Sequence, residues 1–409
     1  MSLNKNLFLF TSSFPYGEGE QFIETEIKVL SLSFKEIFIF PLKVSGNKRE
    51  LPSNVKVIEP KLYSAYSRPS ILFNNLGLIL KIYLLLIFKS KSRSQYFKEF
   101  SRWFNFLLNR INDANWLQKE IEKTTTTQTV YYSYWFNLWG TILSIIKEKK
   151  GSEFKFFTRI HGGDFDEAQK KEGFFPFREF ELTHVQNIYG VSNFGINYMK
   201  QRYANLSFNM SLSRLGVNDH GNNPFDPTKG YFQIVSCSFI YGLKRVNLIV
   251  DILANLHNIK VKWTHFGSGE LEDEIKKYAS TQLGKNIEIE FKGLVPNFEV
   301  IDFYKTTPVD LFLNTSELEG IPVSMMEAIS FGIPIVGCDI CGVPEIANEE
   351  TGILIPKNFD QKTVANNIQV FLTQDQNKML NIRKTVKQYW DKTFNGVSNY
   401  NIFTNLISS

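Results

Sequence analysis

Asn314-Thr315-Ser316-Glu317-Leu318-Glu319-Gly320-Ile321-Pro322-Val323-Ser324-Met325-Met326-Glu327-Ala328 is the stretch on which the reading of this chain turns. The apolar run 309–313 before it has strand character. Gly320 then breaks the chain, and Pro322 sits where a helix begins, the position that best tolerates a residue with no amide hydrogen. A strand therefore feeds a helix N-terminus. Unpaired amides and the positive end of the helix dipole suit that place to a diphosphate, and Gly320 lets the backbone approach it closely. Glu319 on the turn and Glu327 inside the helix can both point into one cleft and accept hydrogen bonds from sugar hydroxyls.

Working outward, short β-rich runs alternate with helical patterns along the whole chain. Residues 7–11, 36–42, 55–58, 129–135, 154–160 and 188–192 form one strand series. Residues 232–238, 261–267, 287–293, 309–316, 333–340 and 352–356 form another. Such alternation favours parallel, doubly wound sheets. The polar segment 218–230 separates the series, so the fold class is α/β with two Rossmann-like domains facing a cleft. The expected bounds are 1–216 for a first, acceptor-binding domain and 217–385 for a second, donor-binding domain. Residues 386–409 are expected to form a helix returning to the first.

Composition limits the function. The 409 residues exceed what one core usually organises. A net charge of +5, with no long basic arm, argues against a nucleic-acid partner. Three cysteines, Cys237, Cys338 and Cys341, cannot make a disulfide framework and fit a reducing compartment. No leader pattern opens the chain, so the expected location is the cytoplasm. The apolar run 71–88 is interrupted by Asn74, Asn75 and Lys81 and makes a poor spanning helix. Residues 70–123 read as a helical insertion in the first series, rich in aromatics and bases. Its 70–110 part is either a peripheral contact with an anionic membrane, at the inner face, or a helical hairpin with a solvated basic face.

Other segments carry candidate chemistry. The strand ending at Cys237-Ser238 leads through a loop to Lys244 and Arg245, which open the next helix and could neutralise a leaving diphosphate. His265-Phe266-Gly267-Ser268-Gly269 is a glycine turn after the following strand. In the first half, Phe14-Pro15-Tyr16-Gly17-Glu18-Gly19-Glu20 follows the first strand, and Gly17 and Gly19 could bring that loop near phosphates. Arg159-Ile160-His161-Gly162-Gly163-Asp164 ends a later strand, a position where ligands gather in such sheets.

The stretch from Glu319 to Glu327 resembles the E-x7-E motif of retaining family 4 GT-B glycosyltransferases. Gly332 to Ile346 is similar to the strand and Gly-Gly-x-Pro-Glu turn that follow it there, and Gly352-Ile353-Leu354 continues the likeness. The resemblance implies a GT-B fold and transfer of a sugar, with retention, from a nucleotide diphosphate donor to a glycan or lipid-linked glycan in surface-polysaccharide assembly. It implies His161, Lys244 and Glu319 as catalytic residues, Glu319 contacting the donor sugar and Glu327 the ribose. Gly17, Gly19, Ser238, Arg245, Gly267, Gly320, Ile321, Val323 and Ser324 would complete the donor site, with no metal and no cofactor. Many members have Gly-Arg where this chain has Cys237-Ser238, so one cation of the phosphate clamp is missing or comes from Arg245.

Three other readings compete. Asp164-Phe165-Asp166 spells a D-x-D that could hold a divalent metal. Cys338 and Cys341 have redox or zinc spacing but lack enough further ligands. A non-catalytic nucleotide-sugar-binding or membrane-surface assembly protein would keep the same cleft without turnover.

Overall fold

The computed structural model describes residues 4–17, 20, 22–62, 68–124, 128–165, 167 and 170–408. Gly19 and Asp166, both singled out in the sequence, lie outside them, as does all but the first residue of the short low-complexity threonine run 124–127. The chain divides into two compact units, Met1–Ser213 with Tyr400–Ser409, and Arg214–Asn399.

The first unit is built on strands β1 (Asn6–Thr11), β2 (Ile37–Pro41), β3 (Val55–Val57), β4 (Thr129–Ser133), β5 (Phe156–Ile160), β6 (Asn187–Gly190) and β7 (Met210–Leu212), in the order β3-β2-β1-β4-β5-β6-β7. Every pairing is parallel. All residues of β1 and β2 are buried, as expected of strands covered on both faces, which explains their unbroken apolar text. The sequence reading did not find β7. It is a three-residue strand at the sheet edge, too short to show a period.

The second unit holds β8 (Phe232–Cys237), β9 (Val261–Phe266), β10 (Ile287–Gly293), β11 (Leu311–Leu313), β12 (Ile335–Cys338) and β13 (Gly352–Ile355), in the order β10-β9-β8-β11-β12-β13. This sheet is also wholly parallel. The strand expected over 309–316 shrinks to β11 because side chains claim the flanking backbone. The Val309 amide donates to Asn223 Oδ1 at 2.9 Å and its carbonyl accepts from Arg383 Nη1 at 2.7 Å, while the Ser316 amide turns to Asn314 Oδ1.

The insertion is four helices rather than a pair: α2 (Arg68–Asn74), α3 (Leu76–Lys89), α4 (Arg93–Lys98) and α5 (Phe100–Thr124), after α1 (Ile23–Ser31). The break between α2 and α3 falls at Asn75, whose side chain donates back to the Ile71 carbonyl at 2.8 Å. That local bond competes with helix continuation. Among the described residues, no helix is long and apolar enough to cross a membrane.

The terminal segment is likewise two helices, Gln376–Thr393 and Gly396–Ser408. From Tyr400 onward the second packs in the first unit, with the Phe403 ring 4.9 Å from Tyr132 and 5.1 Å from Tyr189. Beneath it, Arg159 and Glu26 form a 2.8 Å ion pair with neither side chain exposed. The Arg159 guanidinium also lies 4.2 Å from the Phe403 ring.

Candidate functional site

In the second sheet β8 and β11 are neighbours, while the strands that follow them run to opposite edges. Such a reversal leaves a crevice at the carboxyl ends of the two central strands, where open α/β sheets bind ligands. The loops leaving those ends carry Lys244 and Glu319. Although separated by 75 positions in sequence, the two side chains meet in an ion pair that is largely but not wholly covered.

Backbone contacts hold the loops together. The Glu317 amide donates to the Leu243 carbonyl at 2.8 Å, and Thr315 Oγ1 donates to the Arg245 carbonyl at 2.9 Å. Arg245 itself adopts a left-handed conformation (φ 49°) after a short 3-10 turn, and the next helix starts only at Val246. Its guanidinium donates to the carbonyls of Thr315 (2.7 Å) and Lys357 (3.0 Å), and to Cys338 Sγ (3.3 Å). The expectation that Lys244 and Arg245 open a helix is corrected accordingly. Arg245 is occupied in fastening loops, leaving Lys244 as the cation of this pair that meets Glu319.

Glu327 diverges from Glu319. It lies in the helix Val323–Ser330, where Asn297 Nδ2 donates to its Oε1 at 2.8 Å. Burial outweighs that bond and pushes its carboxyl up to about 7. Burial, with the Glu327 charge adding to it, also pushes the neighbouring Cys237 up to about 12, so this cysteine remains a thiol. The sequence did not single out Asn297, whose only local signal is its place at the start of the helix Asn297–Thr306.

Val323 and Ser324 open their helix behind Pro322, leaving its first amides without carbonyls one turn back. Ile321 is buried and anchors the turn. A side chain at Gly342 would strike the Gly320 carbonyl, so the glycine turn after β12 seats directly against the Gly320 turn. Gly267 has a similar role. At φ 131° its missing side chain leaves room for the Ser238 carbonyl, while the Ser238 amide donates to Phe266 at 3.0 Å. Below them, Ser236 Oγ accepts from Trp263 Nε1 (2.9 Å) and lies 2.7 Å from His265 Nδ1.

The first sheet has the same reversal between β1 and β4. Here Glu20 turns back on its own loop. Its carboxylate accepts from the amides of Ser12 (3.1 Å), Ser13 (2.6 Å) and Phe14 (2.6 Å), and from Trp135 Nε1 just past β4. Gly17 (φ 69°) is held against the 45–49 loop: its amide donates to Asn47, and its carbonyl accepts from Arg49. It is thus a turn residue in this unit.

His161, after β5, is buried and lies 4.3 Å from Trp135 and 4.9 Å from Tyr134, ring to ring. Burial and the Arg159 charge pull its imidazole down to about 3, so it is neutral at ordinary pH. Its Nε2 is 3.2 Å from the Tyr134 carbonyl. A carbonyl only accepts, which places the proton on Nε2 and the lone pair on Nδ1. Asp164 Oδ2 accepts from the His161 amide at 3.0 Å and closes the turn below it.

Comparison with known proteins adds to this geometry. The sequence model described as "Glycosyl transferases group 1" matches residues 222–389. A putative colanic acid biosynthesis glycosyltransferase, WcaL of Escherichia coli K12, is 24% identical over 196 residues, 46% of this chain and 48% of that protein. The amylovoran biosynthesis glycosyltransferase AmsK of Erwinia amylovora is 31% identical over 112 residues, 25% of this chain and 26% of its own. The aligned regions therefore span about half of these relatives or less. Among solved structures, the lipopolysaccharide outer core galactosyltransferase WaaB superposes with a TM-score of 0.70 over 99% of both chains at 15% identity. HepE of Anabaena, solved with UDP, does so with a TM-score of 0.64 over 99% of both at 12% identity. Two doubly wound parallel sheets and these neighbours establish the GT-B fold for this chain, and residues 222–389, within its second unit, match the Glycosyl transferases group 1 model.

Proposed function

We propose that this chain is a retaining, metal-independent glycosyltransferase moving a sugar from a nucleotide diphosphate donor to a glycan or lipid-linked glycan in surface-polysaccharide synthesis. The observation that carries the reading is the Lys244–Glu319 pair at the carboxyl ends of β8 and β11, inside the segment matched by the family model. The likeness to WcaL, a putative colanic acid biosynthesis enzyme, and to AmsK, an amylovoran biosynthesis enzyme, supports the pathway class.

In this mechanism the donor diphosphate sits on the first amides of the helix Val323–Ser330, with Lys244 taking the negative charge that builds as the glycosidic C–O bond breaks. Lys244 supplies the required cation, and no metal has a role. Glu319 exchanges part of its contact with Lys244 for a donor-sugar hydroxyl, and Glu327 holds the ribose. The acceptor oxygen bonds to the anomeric carbon on the face the diphosphate leaves. Its proton passes to the departing phosphate oxygen, so no side chain serves as a covalent nucleophile. His161 of the first unit, neutral and held at Nε2, acts through Nδ1 as a hydrogen-bond acceptor.

The test is a binding and turnover screen of nucleotide diphosphate sugars in a chelator, with UDP-sugars first because HepE is solved with UDP. Lys244→Ala and Glu319→Ala are each expected to lower turnover by roughly 10²- to 10³-fold, with circular dichroism unchanged. Inverted product configuration by NMR would overturn retention. Tight donor binding without turnover on any acceptor would leave a binding protein instead.

A further inference from the structure

The helix α3 is apolar on both of its faces. Ile79, Ile82 and Leu86 are buried against the unit, whereas Leu76, Leu80, Leu84 and Phe88, four residues apart, form a stripe in solvent. Leu80 is 55% exposed, Leu84 53% and Phe88 77%, and Phe73 on α2 and Phe97 on α4 extend the patch at 86% and 62%. A helix apolar all round belongs in a core or a lipid phase. At 14 residues α3 is about 21 Å long, too short for a bilayer core of about 30 Å. It can lie along an interface but not cross one.

Two further observations indicate what covers it. From Leu76 to Arg102 there are six basic residues and one acid, Glu99. Among the described residues, no carboxylate pairs with Lys89, Arg93 or Lys98. The patch also opens over a cavity of about 320 Å³ lined by Leu76, Ile79, Tyr83, Tyr96, Phe104 and Arg93, among others.

We propose that α2, α3 and α4 dock on an anionic phospholipid leaflet, with one acyl chain entering the cavity beneath α3. The exposed leucines and phenylalanines enter the acyl region, while Lys89, Arg93 and Lys98 meet the phosphates. This inference concerns a face of the first unit and stands whether or not the proposed sugar transfer is correct.

The experiment is co-sedimentation of the full chain with phosphatidylcholine vesicles, with and without phosphatidylglycerol. Binding is expected only with the anionic lipid and is expected to fall as salt rises. The triple variant Lys89→Glu, Arg93→Glu, Lys98→Glu should weaken it about a hundredfold. The triple variant Leu80→Ser, Leu84→Ser, Phe88→Ser should abolish it while leaving circular dichroism unchanged. Phospholipids brominated along the chain should quench tryptophan fluorescence through Trp103, whose ring is 6.1 Å from Tyr96, and Trp103→Phe should remove that quenching. Equal binding to neutral vesicles would overturn the proposal. So would a charge-reversed variant that binds like the parent, or a lipid-free dimer lost in the serine variant. Sedimentation without Trp103 quenching would overturn the acyl-chain site.

Discussion

The two sheets reverse strand order in the same way, yet the chemistry at their reversal points differs. At the second, Lys244 and Glu319 arrive from different strands, remain partly accessible, and pair with each other. At the first, Glu20 is consumed by the amides of Ser12, Ser13 and Phe14, and the neighbouring arginine, Arg159, is sealed against Glu26. One site keeps its charges where a ligand can compete for them. The other neutralises its charges internally and presents a neutral imidazole. The contrast teaches that shared topology supplies a crevice but not its electrostatics, which depend on whether the charged groups already have protein partners.

Substitutions can break or sharpen this contrast. The largest effect is expected from Arg159→Met, which strands Glu26 in the core beneath Tyr400 and Phe403. Urea denaturation should show a loss of about 3–5 kcal/mol, and adding Glu26→Gln should restore part of it. A change that leaves stability untouched would mean the pair is not buried as described.

Glu20→Gln is next. It keeps the shape but replaces a carboxylate that accepts from three amides and an indole. A loss of about 2 kcal/mol is expected in thermal unfolding at neutral pH. No loss would show that the loop is held by other contacts and that the first site is less self-contained than the second.

The smallest effect belongs to Glu327. In the unfolded chain its carboxyl titrates in the ordinary range, whereas burial lifts it to about 7 in the fold. Between those values the folded chain carries the extra proton, so this residue makes stability fall as pH rises toward 7. Glu327→Gln should flatten that slope by about 1 kcal/mol between pH 5 and pH 8, discounted for its partial exposure. An unchanged slope would place the titration elsewhere.

The sequence carried further in the second unit than in the first. The Glu319–Glu327 segment lies on one local strand-turn-helix, so its elements and glycines could be read from consecutive residues. Gly320 was legible as a turn, but its packing against Gly342 was not, because that contact joins loops from two strands. The fastening contacts of Arg245 were hidden in the sequence for the same reason. Neighbouring basic residues look interchangeable in text, whereas a left-handed backbone at Arg245 sends its guanidinium to Thr315 and Lys357. Glu20 stands in a glycine-containing loop, and nothing local marks it as the group that closes that loop.

Apolar periodicity and strand–helix alternation by themselves determined two parallel α/β sheets, because those patterns depend on near neighbours and on which faces are buried. Tertiary structure alone decided that Lys244 meets Glu319 across 75 positions, that Glu20 occupies its own loop amides, and that burial keeps His161 neutral. Each of these depends on the distance between groups remote in the chain and on how much water reaches them, and neither quantity is written in residue order.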